Sequence, residues 1–146
     1  MPQYFTLSEA EALLPEVEKS IRAAVELKRF YDQAEEVLQN ESTRIMMSGG
    51  AMVNSERLQA EKSRRDTCAR QLKEAIERIY SFGCEVKDLE IGLIDFITLY
   101  HGQEVCLCWK LGEEGIEHWH GLEEGFRGRK KIDAEFLENH RGAREM

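Results

Sequence analysis

"DLEIGLIDFITLYHGQEVCLCWKLGEEGIEHWHGL", residues 88–122, decides the fold, because here apolar residues recur every second position rather than every third or fourth. Three runs stand out: 88–99, rich in Ile, Leu and Phe; 103–111, which alternates; and 116–122. Turn signals separate them, Gly102 in "YHGQ" and Gly112 with Gly115 in "GEEG". The pattern predicts a three-stranded antiparallel meander with one face packed on another layer.

Alternate residues of a strand share a face, and so do directly paired residues of neighbours. A two-residue hairpin at His101-Gly102 pairs Tyr100 with Gln103, Phe96 with Leu107, Asp95 with Cys108 and Ile94 with Trp109. Ile94, Phe96, Val105, Leu107 and Trp109 then form a core layer, while Asp95, Cys106 and Cys108 face away.

The next turn allows two registers. A three-residue loop, Glu113 to Gly115, pairs Cys108 with His120 and Lys110 with His118, and lines up Asp95, Cys108 and His120 across three strands. A two-residue loop, Glu113-Glu114, pairs Trp109 with His118 and Leu107 with His120, and sends both histidines to the core face. Two glutamates are poor central residues for a tight turn and Gly115 suits the longer one, so the first register is preferred.

Upstream, the period is helical. "TLSE", Thr6 to Glu9, has the spacing of a capping box, with Thr6 or Ser8 as the cap. Pro15 marks a kink or a later helix start. Leu14, Val17, Ile21, Ala24, Tyr31 and Leu38, broadened by Leu27, Phe30, Ala34 and Val37, describe one long amphipathic helix into the forties. Gly49-Gly50 is a turn, and Asn54 or Ser55 caps a second helix carrying Leu58, Cys68, Leu72, Ala75, Ile76, Ile79 and Phe82. Gly83 is its left-handed C-cap. The two helices form an antiparallel, coiled-coil-like hairpin. Its distal end is polar on one side, "EKSRRD" at 61–66, which leaves "IMM" at 45–47 as a contact surface for a protein partner or as a frayed tip.

The chain of 146 residues is expected to be one α+β domain: a helical hairpin at 6–83, a β-meander at 84–122, and a basic loop and tail at 123–146 holding a short helix from Asp133 to His140 before it frays. A net charge of -8 argues against binding nucleic acid or an anionic membrane. No apolar run is long enough to span a bilayer, and the first residues lack the pattern of a signal peptide, so a cytoplasmic protein with reduced cysteines at 68, 84, 106 and 108 is expected.

Asp95, Cys108, His118 and His120 are the candidate metal ligands, their mixed O, S and N donors suiting zinc or a similar divalent ion. Histidines bonded to neighbouring carboxylates and a buried small cysteine are the structural alternative. "GFRGRKK", 125–131, concentrates positive charge in an acidic chain, and Arg127 and Arg129 are candidates for gripping a phosphate or carboxylate.

The stretches "YFTLSEAEALLPEVE" (4–18), "GCEVKDLEIGLIDF" (83–96) and "EVCLCWKLGEEGIEHWHGLEEGFRGRK" (104–130) resemble a small bacterial family catalogued as domain of unknown function 2203. The resemblance implies a shared motif of Asp95, Cys108-Trp109, His118-Trp119-His120, Gly125-Phe126 and Arg129. It places Cys106 where the family often carries an aromatic residue, outside any shared metal site, and makes the tail after Lys131 particular to this chain. Two functional classes are expected: a non-enzymatic assembly module forming a homodimer through its helices, or a metal- or anion-binding protein, with metal-dependent hydrolysis as its catalytic form.

Overall fold

The computed structural model describes residues 3–49 and 55–143. Helix α1 runs from Leu7 to Met47, 41 residues and about 60 Å at 1.5 Å per residue. Thr6 is its N-cap: its hydroxyl accepts from Glu9 N at 3.1 Å and the Glu9 carboxylate accepts from Thr6 N at 3.0 Å. The helix starts ahead of Pro15 and continues past it; Pro15 is exposed, so the lost backbone bond faces solvent, while Leu14 and Val17 on either side are buried. Helix α2 spans Ser55–Ser81 and packs on α1. Gly83 follows it at φ +94, its N–H on Tyr80 O at 2.9 Å. Gly50 and Asn54, read as turn and cap, lie outside the described residues.

The sheet has six strands, twice the expected number: β1 Glu85–Asp88, β2 Leu93–Tyr100, β3 Gln103–Lys110, β4 His118–Gly121, β5 Lys130–Lys131 and β6 His140–Arg141. All pairings are antiparallel. The first five strands lie in chain order, and β6 joins β2. Of the run 88–99 only the part from Leu93 belongs to β2: Asp88 ends β1, its Oδ1 accepts from Glu90 N at 2.9 Å, and Gly92 takes φ +68, together turning the chain.

The β2–β3 hairpin has the expected register, with His101 at φ +52 and Gly102 at φ +78 at its tip. Ile94, Phe96, Val105, Leu107 and Trp109 are all buried in the core with Leu14, Val17 and Ile21 of α1.

The β3–β4 register differs from both readings. Cys106 pairs with His120 and Cys108 with His118, two residues from the preferred pairing. The connection is seven residues, 111–117, because it also serves the core: Ile116 is 2% exposed, and the buried Trp109 indole N–H needs an acceptor, which it finds in Glu113 O at 3.0 Å. A shift of two preserves the side-chain faces, so the histidines still share the face of Asp95 and the cysteines.

The expected tail helix is α3, Ala134–Asn139, capped by Asp133. The chain then docks rather than frays up to residue 143: β6 pairs with β2, and Ala143 N reaches Tyr4 O at 3.2 Å. Phe136 is fully buried against Trp119, Tyr100 and His140. Among the described residues no helix is long and apolar enough to cross a membrane.

Candidate functional site

The sheet face turned away from the helices carries Asp95 on β2, Cys106 and Cys108 on β3, and His118 and His120 on β4. The register creates two rows: Asp95–Cys108–His118, and Ile97–Cys106–His120 beside it. Apolar alternation on the opposite face places these polar residues here, and the segment 121–129, with its 3-10 turn at Phe126–Gly128, covers them. Glu124 fastens that cover, its carboxylate accepting from Gly121 N at 2.7 Å and from Lys130 Nζ at 2.8 Å.

His120, 4% exposed at its side chain, reaches diagonally across the rows to Asp95. Its Nε2 lies 3.0 Å from each Asp95 oxygen and its Nδ1 lies 2.7 Å from Gly121 O. A carbonyl only accepts, so Nδ1 donates to Gly121 O, and Nε2 faces the Asp95 carboxyl group. The bond to Asp95 raises the His120 pKa, against the effect of burial. The hydrogen bond goes to Oδ1, and the buried Oδ2 has no hydrogen-bond partner. One oxygen of Asp95, Sγ of Cys106 and one nitrogen of His120 lie within 4.8 Å of one another, all three residues buried. Burial first, then the nearby Asp95 charge, pushes the Cys106 thiol up to about 12 and raises that of Cys108 as well.

The expected ligand set is thus divided. Asp95 and His120 meet with Cys106, not Cys108, because the two-residue shift moves His120 opposite Cys106. His118 belongs to a neighbouring cluster, where Arg129 Nη2 donates to His118 Nδ1 and to Glu113 Oε2. Arg127 and Arg129 do not act as a pair: Arg127 is exposed on the 3-10 turn, whereas the Arg129 side chain is 8% exposed and stacks over Phe126 at 4.8 Å. Sequence reasoning set Cys106 aside on the resemblance, although its parity with Asp95 and His120 was visible. It also missed Lys87, which with Leu122, Glu124 and Phe126 lines a cavity of about 310 Å³ opening beside Asp95 and His120.

A family described as an uncharacterized conserved protein (DUF2203) matches residues 3–132. The chain belongs to this family. Neither a curated protein nor a solved structure matches it. The match to DUF2203 covers both helices and strands β1 to β5, so every residue of the polar sheet face lies within the family region, while α3 and β6 lie beyond it.

This DUF2203 chain has a second notable surface, on the helical arm. Beyond Ala24, α1 buries only Ala34, and α2 buries only Cys68 and Ile79. Tyr31, Leu72, Ile76 and Tyr80 line an apolar groove of about 460 Å³ between the helices, with Lys28, Lys73 and Glu77 at its edge. At the far end Met46 and Met47 are 80% and 85% exposed.

Proposed function

We propose that the protein is an assembly module that pairs with a second copy of itself through the helical arm. The apolar groove on α1 and α2 carries this reading. Two helices alone bury one side of each, and an arm with so few buried residues has apolar surface left for a third and fourth helix. The charges at the groove suit a two-fold axis. Lys73 and Glu77 lie one turn apart on α2. Laid antiparallel on its copy, α2 sets each Lys73 against Glu77 of the second copy, as a self-complementary interface requires. The exposed Met46 and Met47 give the arm an adaptable tip for contacting a further protein.

Sedimentation equilibrium at micromolar concentration tests the reading. The wild type should have twice the chain mass, and the Leu72→Asp, Ile76→Glu double variant the mass of one chain, with its near-ultraviolet tryptophan signal unchanged because both tryptophans lie on the sheet. A wild type that remains a single chain at 100-fold higher concentration would overturn it.

A further inference from the structure

On the other side of the molecule from the arm's contacts, the sheet holds a site with a different role. We infer that Asp95, Cys106 and His120 bind one divalent transition-metal ion of the zinc class. Three adjacent strands deliver one oxygen, one sulfur and one nitrogen donor that lie within 4.8 Å of one another, a mixed set that zinc accepts.

Two further features favour an ion. First, His120 Nδ1 donates to Gly121 O at 2.7 Å, the outer bond that commonly orients a metal-binding imidazole and leaves Nε2 facing inward. Second, Asp95 Oδ2 is a buried acceptor with no hydrogen-bond partner, its contact being the 3.0 Å ion pair with His120 Nε2, so it keeps acceptor capacity for an ion.

Three protein ligands leave a fourth position for a water or an exchangeable ligand. The cavity of about 310 Å³, which Asp95 and His120 also line, supplies the room.

The test uses the full chain, untagged and stripped with a chelator, titrated with Co²⁺ alone. The wild type and Cys108→Ser should each take up one equivalent and show a thiolate-to-cobalt charge-transfer band in the near ultraviolet. Cys106→Ser should lose that band. A wild type with no band at several equivalents would overturn the inference. So would a band lost in Cys108→Ser and kept in Cys106→Ser. Where a serine variant does not fold, X-ray absorption of the zinc-loaded wild type decides: one sulfur with nitrogen and oxygen donors supports the site, while no sulfur or two sulfurs refutes it.

Discussion

His140 Nε2 accepts the backbone N–H of Leu7 at 3.0 Å, across 133 positions of sequence. The first N–H groups of a helix have no partner within it. Thr6 provides for one of them, and His140 for another. The imidazole is held for this by its own Nδ1–H on Leu137 O at 2.9 Å and by stacking on Phe136. A segment beyond the family match thus completes the start of the chain's longest helix.

This relationship predicts graded losses of stability. His140→Ala should cost about 1 kcal/mol, as for loss of a helix cap. Phe136→Ala should cost about 3–5 kcal/mol, because the ring is fully buried. Urea unfolding of both variants measures these values. A Phe136→Ala midpoint equal to that of the wild type would mean that the tail is not part of the core.

Acid should loosen the same segment. Glu135 accepts from the Tyr100 hydroxyl and from His101 Nε2 at 3.0 Å, and these bonds, Tyr100 first, hold its carboxyl below the ordinary value. A lowered folded-state pKa gives a stabilisation that is present above the unfolded pKa and disappears as pH falls through the folded one. Tail resonances followed by NMR should therefore shift at a pH below the ordinary glutamate range, about 4.3. In Glu135→Gln that acid transition should be absent.

Gly49 and Gly92 share φ +68 but not their surroundings. A Cβ at Gly49 meets nothing within 4 Å, whereas one at Gly92 comes to 2.6 Å from Leu111 Cβ. Gly49→Ala should cost only the left-handed strain, about 1–2 kcal/mol. Gly92→Ala should cost more, since the β1–β2 turn or Leu111 must also move. Equal melting temperatures for the two variants would contradict this.

All four cysteines are free and buried, and burial pushes Cys84 and Cys106 up to about 12. A thiol reagent at pH 8 should find four reactive groups in denatured protein and none in the native protein over the same interval. Rapid native modification of Cys84 or Cys106 would show that the sheet opens locally.

What was legible in the sequence depended on local chemistry. The register of β2 and β3 followed from His101-Gly102, a turn whose backbone needs are met by its own residues. Thr6 and Gly83 announced their helix ends in the same way. The β3–β4 register was not legible, because its loop answers to distant demands: an acceptor for the Trp109 indole and a core position for Ile116. The two-residue strands β5 and β6 are too short to show a period. Strand β1 was hidden by Leu89 and Ile91, whose alternation continues the pattern through what is a turn. The candidate site was half legible: parity placed the right residues on one face, but the two-residue shift selected Cys106 over Cys108.

The arrangement of β1 to β5 in chain order bears on how the molecule folds. Each of these pairings, and the pairing of α1 with α2, joins segments that are consecutive in the chain, so each closes a short loop and loses little entropy. The contacts of the tail are different in kind: Thr98 binds Arg141 O across 43 positions, and Leu7 binds His140 across 133. Helical arm and meander should therefore assemble first in refolding, and the tail should dock onto a surface already formed. Substitutions in the tail would then speed unfolding while leaving the folding rate nearly unchanged.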